Sequence, residues 1–246
     1  MPVLNPDHLQ AIVARYAGQV TVEGLTAAEH LKASWCESAV YAGDSLTIEM
    51  LRSQEYDSYR MYSWLAYYRV FKDQYAYGDK RLILARIAEH RAEWIASPAA
   101  PAAFVGQVYR TLIDDGVFSC FSLSTKVSWL LKPTMIAIYD SKAIAALTML
   151  SNLGCVSAIR GCPSNSANGR TAARTQAVVD YYAAFYPLVA EIADVCADQL
   201  DDCLQQLPAL FAADHMAVPG DLAGNRMRML DKVLWMMGSP ADAAED

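Results

Sequence analysis

Between Ser122 and Leu147 the chain reads SLSTKVSWLLKPTMIAIYDSKAIAAL, with one carboxylate, Asp140, among three lysines, Lys126, Lys132 and Lys142. A lone carboxylate of this kind has two chemical uses: it can stabilise positive charge growing on a substrate, and it can orient or deprotonate an attacking water. A lysine that is partly neutral can instead attack a carbon and form a Schiff base. Asp140 directly precedes SKAIAALTML, where Ile144, Leu147 and Leu150 recur at helical spacing, so its carboxylate is expected at a helix N-cap. There it would accept from backbone N–H groups that have no partner inside the helix, and capping alone accounts for an aspartate at this place. The helix dipole favours a negative charge at the same position.

The elements before Asp140 follow from the same stretch. Ser122 or Ser124 can cap a helix carrying Lys126, Val127, Leu130 and Leu131, and Pro133 ends it. TMIAIY then reads as an apolar connection through the interior. Elsewhere the periodicity is also helical: Ile83, Ile87 and Trp94 form one stripe, and Met227, Leu230, Leu234 and Met237 form another. No convincing run of alternating strand residues occurs. Breaks at NPD (5–7), AGDS (42–45), YGDK (77–80), SPAAPAA (97–103), DDG (114–116), GCVSAIRGCPSNSANGR (154–170) and VPGD (218–221) leave room for roughly eight to ten helices, an all-α fold.

The chain has 246 residues, 54% of them hydrophobic and 19% charged, which is enough to bury a sizeable core in one unit over residues 1–238. SPAAPAA at 97–103 is the best candidate for a boundary between lobes, and residues 239–246 are expected to fray. No apolar run is long enough for a membrane span, and MPVLNPDHLQ carries no signal-peptide pattern, so a soluble, cytoplasmic protein without a membrane partner is expected. The formal charge of −7 disfavours polyanions, but it is unevenly spread. From Val117 to Val179 six basic residues face one acid, a segment of +5 against −12 for the remainder. Such a basic face suits a polyanion at one surface, and it also suits an ordinary solvated face.

The six cysteines are those of a reduced compartment. Cys155 and Cys162, like Cys196 and Cys203, stand seven apart, but no C-x-x-C step accompanies them, and Cys196 and Cys203 continue the helical stripe Leu188, Ile192, Val195. Core thiols are therefore expected, with no metal and no cofactor. Seven of the fourteen tyrosines lie between Tyr56 and Tyr77, in a stretch apolar nearly all round. That pattern fits a central, packed helix, and it fits a wall of rings on which unstacked bases would lie.

The segment STKVSWLLKPTMIAIYDSKAIAAL resembles the helix-hairpin-helix DNA glycosylases, in particular their 8-oxoguanine branch. In that superfamily a hairpin of the type G-V-G-T-K-V is followed by a connection ending P-V-D, whose catalytic aspartate begins the next helix. Thr125-Lys126-Val127 matches the end of the hairpin and Ile138-Tyr139-Asp140 the aspartate step, while RMRMLDKVLWMMG resembles the terminal helix of relatives of that branch. Ser122 and Ser124 stand where the hairpin has glycines. The resemblance implies two helical lobes around a cleft and excision of a flipped-out base, damaged or hypermodified, such as a bulky modified cytosine in phage DNA, in repair or antiviral defence. It implies Asp140 as the central acid, with Lys126 a second catalytic group or a phosphate contact, and an abasic strand as product. Ser122, Ser124 and Thr125 at the hairpin, and Lys142, Arg170 and Arg174 by charge and proximity, are the expected DNA contacts. Only 14 residues separate Lys126 from Asp140, a shorter connection than in the lysine-nucleophile enzymes, so a monofunctional enzyme is expected. The alternative is a non-catalytic helical module that binds DNA or a protein. An unrelated enzyme has less to stand on, since there is no P-loop, H-E-x-x-H or G-x-S-x-G, and His8, His30, His90 and His215 have no metal spacing.

Overall fold

In the computed structural model the described residues are 3–20, 24–36, 43–68, 80–114, 121–159 and 172–239. They form an all-α protein. Twelve helical segments occur among them: α1 (Pro6–Ala17), α2 (Ala27–Trp35), α3 (Asp44–Arg52), α4 (Ser58–Tyr67), α5 (Lys80–Ala96), α6 (Pro101–Asp114), α7 (Phe121–Leu131), α8 (Ser141–Asn152), α9 (Ala172–Val195), α10 (Ala197–Leu204), α11 (Leu207–Ala212) and α12 (Arg226–Met237). Twelve exceeds the expected number partly because the stripe read from Leu188 to Cys203 is two helices. Cys196 ends one and stands at the N-cap of the next. Among the described residues there is no strand, only an isolated antiparallel bridge between Val3 and Val156, and no helix long and apolar enough to cross a membrane.

The chain divides into two compact units, one of Met1–Ala33, Ala137–Arg160 and Ala184–Asp246, the other of Ser34–Ile136 and Gly161–Ala183. The division does not fall at 97–103. That connection lies inside the second unit, tied down by Lys132 Nζ, which donates to the Ser97 carbonyl, and by Ser97 Oγ, which donates to Gln107 Oε1 at 2.9 Å. One division falls within α9. Pro187 has no N–H for the carbonyl four residues back, that of Ala183, and the units part between Ala183 and Ala184.

In the first unit, Asn5 caps α1 through His8 N at 3.2 Å, with Pro6 at the first helical position, as the NPD break implies. Thr26 and Glu29 form a reciprocal capping box before α2, Glu29 Oε2 accepting from Thr26 N at 2.8 Å and Thr26 Oγ1 from Glu29 N at 3.3 Å. The most extensive pairing is that of α8 with α12. Leu230, Leu234 and Met237 of the expected α12 stripe are buried, whereas Met227 is only half-buried. Gly238 closes α12, and a Cβ there would lie 1.9 Å from the Lys142 carbonyl oxygen, so only glycine permits this approach to α8. Arg226 reaches from α12 to Asp201 of α10, Nε to Oδ1 at 2.7 Å and Nη2 to Oδ2 at 2.5 Å. Hydrogen bonding from this guanidinium holds the Asp201 carboxyl below the usual carboxylate range.

In the second unit, α7 packs on α6, α3 and α5. Ile83, Ile87 and Trp94 of α5 are buried, as their spacing implies. Phe121 meets Tyr181 and Tyr182 of α9 edge-on at 5.8 and 6.2 Å.

Of the cysteines, Cys155, Cys196 and Cys203 are buried core thiols, and Cys120 and Cys162 lie outside the described residues. Burial pushes the Cys196 thiol up to about 12. An unfolded thiol titrates near about 8.5, so the folded state holds its proton where the unfolded state has lost it. The contribution of Cys196 is therefore fully present below that pH and is lost as pH rises toward 12. Urea midpoints at pH 7.5 and pH 10.5 should differ less in Cys196→Ala than in the parent; equal differences would exclude this coupling. Gly238→Ala should lower stability by roughly 1–3 kcal/mol, because the clash is with backbone and not with a movable side-chain end. An unchanged urea midpoint would show that the α8–α12 approach is not tight.

Candidate active site at the start of α8

Asp140 occupies the N-cap of α8 with extended backbone, φ −149° and ψ 175°. Its Oδ1 accepts from Lys142 N at 2.9 Å and from Ala143 N at 2.8 Å, and its carbonyl accepts from Ile144 N at 3.1 Å. The N-cap read from the sequence is thus present. The carboxylate is half-buried, and its second oxygen, Oδ2, has no hydrogen-bond or ion partner among the described residues. Packing fixes the chain on both sides. Ile136, Ala137 and Ile138 are buried ahead of it, Tyr139 meets Phe185 edge-on at 5.7 Å, and Ala143, Ala146, Leu147 and Leu150 are buried after it. The half-buried Lys142 side chain likewise has no ion partner among the described residues.

The expected turn before Asp140 is not there. α7 already begins at Phe121, so Ser122 and Ser124 lie inside a helix and neither starts it at the expected place. Its end before Pro133 agrees with the sequence. Ser124, Thr125 and Lys126 are buried, and Thr125 Oγ1 donates to the Ser122 carbonyl at 3.0 Å. Mid-helix N–H groups bond to carbonyls four residues back, so those of Thr125, Lys126 and Val127 are not free for a phosphate. The physical reason is burial all round. Every residue from Leu123 to Leu131 is buried, and a helix is the structure that satisfies a buried backbone without outside partners.

Lys126 Nζ donates to the Tyr68 carbonyl at 3.3 Å and stands 5.7 Å from the centre of the Tyr68 ring. The Tyr68 hydroxyl in turn donates to Asp44 Oδ1 at 2.9 Å, and Trp64 Nε1 donates to the same oxygen at 2.8 Å. Asp44 is fully buried. This polar cluster of Asp44, Trp64, Tyr68 and Lys126 belongs to the interior of the second unit, and the sequence reading missed it. The only local signal was Trp64 and Tyr68 standing four apart, on one helical face.

In its described part, up to Tyr68, the tyrosine-rich stretch is not packed on all sides. α4 buries Met61, Trp64 and Leu65 and exposes Tyr59, Tyr62 and Tyr67, with Lys80 Nζ 5.9 Å from the centre of the Tyr62 ring. Tyr75, Tyr77 and Arg170 lie outside the described residues, as does the side chain of Arg174 in α9. No group of three or more histidine, cysteine or acidic side chains placed to hold a metal occurs among the described residues.

What the described residues define is an all-α protein with a carboxylate-capped, tightly held helix start. No protein-family model, curated protein or solved structure matches the chain.

Asparagine caps helices about as well as aspartate, so Asp140→Asn should stay within about 0.5 kcal/mol of the parent, while Asp140→Ala should lose about 1 kcal/mol. Trp64→Phe withdraws one donor from a fully buried carboxylate and should cost roughly 1–3 kcal/mol by urea denaturation. A neutral result there would show that water replaces the indole.

Proposed function

We propose that this chain is a DNA N-glycosylase that hydrolyses the bond between a flipped-out base and its deoxyribose. The observation that carries the reading is the division of labour at Asp140: Oδ1 is used by the helix, while Oδ2 is left without a partner among the described residues. As the base departs, positive charge develops on the sugar, and a fixed carboxylate oxygen stabilises it without reorganising. The same oxygen orients water toward the sugar carbon and takes its proton, the departing base leaves with the bonding electron pair, and an abasic strand results. Lys142, two residues on, offers its ammonium to a neighbouring phosphate.

This reading assigns no chemistry to Lys126, whose ammonium is turned to Tyr68 in the interior. The enzyme is accordingly monofunctional, with no Schiff base and no strand cleavage. Kinship with the helix-hairpin-helix glycosylases, a DNA partner, a cytoplasmic setting and a role in repair or antiviral defence belong to the same proposal, supported by the resemblance at the aspartate step alone, since Thr125, Lys126 and Val127 lie inside α7.

The test is incubation with duplex and single-stranded DNAs carrying damaged or hypermodified bases, bulky modified cytosines included, followed by alkali to reveal abasic sites. The parent should release a base, and Asp140→Asn should reduce single-turnover excision by about 100-fold or more while remaining folded. Borohydride should trap no covalent adduct. Excision unchanged in Asp140→Asn would reduce Asp140 to a cap, an adduct lost in Lys126→Ala would restore the lysine as nucleophile, and no release from any DNA would leave a non-catalytic module.

A further inference from the structure

We propose that the cavity between α6 and the first half of α9 binds a small anion with an apolar body about the size of one aromatic ring. The cavity, about 290 Å³, lies wholly within the second unit. Its existence follows from how the two helices meet. At Gly106 a Cβ would stand 2.3 Å from Val179 Cγ2, so glycine lets α9 come close at that level. Ala103, Gly106, Gln107 and Arg110 share one face of α6 at helical spacing, and the small residues there leave a recess beside the contact, with Val179 as its opposite wall.

The polar groups around the recess sort into committed and uncommitted ones. Gln107 is committed: its Oε1 accepts from Ser97 Oγ at 2.9 Å and its Nε2 donates to Glu93 Oε1 at 3.2 Å. Thr111 donates back to the Gln107 carbonyl at 3.2 Å. Two groups remain. Thr175 lines the recess, and its hydroxyl has no hydrogen-bond partner among the described residues. Arg110 stands exposed at the rim, with no carboxylate in ion-pair distance among the described residues.

The Thr175 hydroxyl is not sealed off, so a ligand that enters the recess can bond to it. The guanidinium decides the sign of that ligand, because it has only donors and prefers carboxylates and phosphates. The threonine hydroxyl donates to the same anion. The apolar walls decide the rest: the volume sits near the lower limit of small-molecule sites, large enough for a ring and oversized for a bare ion. The site does not rest on the reading of Asp140, which lies in the other unit.

The test titrates phenyl phosphate, benzoate, inorganic phosphate and benzyl alcohol into the full chain, followed by saturation-transfer NMR. Phenyl phosphate or benzoate should bind saturably and about tenfold tighter than both inorganic phosphate and benzyl alcohol, which lack one half of the ligand each. Arg110→Gln, at an exposed position, should weaken the aryl anion about tenfold, Thr175→Val severalfold, and Asp140→Asn not at all. Thermal melts of each variant confirm folding, and Arg110→Gln alone decides the matter if Thr175→Val does not fold. Binding that survives Arg110→Gln, benzyl alcohol binding as well as the aryl anions, or no saturable binding of either aryl anion would overturn the proposal and leave a water-filled recess.

Discussion

The first turn of α8 is the place on which the helix packing of the first unit depends, and one residue, Lys142, fixes it from two directions. Its N–H is held by Asp140 Oδ1 at 2.9 Å, and its carbonyl oxygen defines the surface against which Gly238 closes α12. Neither contact uses the lysine side chain. A cap sets the direction in which α8 leaves Asp140, and the glycine lets the end of α12 approach to backbone distance, so the most extensive helix pair of the first unit is registered at its start. Side chains further along, Leu147 and Leu150 on one helix and Leu230 and Leu234 on the other, are then buried.

Polar burial is handled differently in the two units. In the first, Arg228 is fully buried and pairs with Asp231 on the same helix, while Arg226 forks onto Asp201. These pairs are local or bridge neighbouring helices. In the second, the buried Asp44 carboxylate is held by an indole and a phenol, and the Lys126 ammonium bonds to the carbonyl of the same tyrosine. Buried charges seldom add net stability compared with well-packed apolar groups, but removing one partner of such a set leaves the rest uncompensated. The cluster ties α3, α4 and α7 together through atoms that an apolar core would not constrain so specifically.

How far the sequence could be read depended on the range of the deciding interaction. The Asp140 cap, the α5 stripe and the Asn5–Pro6 start were legible because each is settled within a few residues, by a capping oxygen or by a repeat near 3.6. The Thr26–Glu29 capping box is equally local, a threonine followed three residues later by a glutamate. α7 was not legible: its serines and threonine are good turn and cap residues, and only the neighbours packed around them, distant in sequence, keep them helical. The same holds for Asp44, whose partners stand 20 and 24 residues away. It holds for α4 too, where composition alone could not tell which face of a tyrosine-rich helix is buried.

A carboxylate that both caps a helix and takes part in a reaction has to keep its two duties on separate atoms. If both oxygens of Asp140 were bonded to backbone N–H groups, its charge would be spent on the helix end and no acceptor would be left for water or for a cationic sugar. If neither were, the half-buried side chain would lack the two bonds that hold it in one rotamer, and a reacting group needs that fixed position. The bonding seen here, two N–H groups on Oδ1 and no partner for Oδ2 among the described residues, meets both requirements with one side chain. The second requirement depends on backbone that is itself immobile. That is supplied by the buried run Ile136–Ile138 before the cap and by Gly238 against Lys142 after it, so the position of Oδ2 is set by packing as much as by the cap itself.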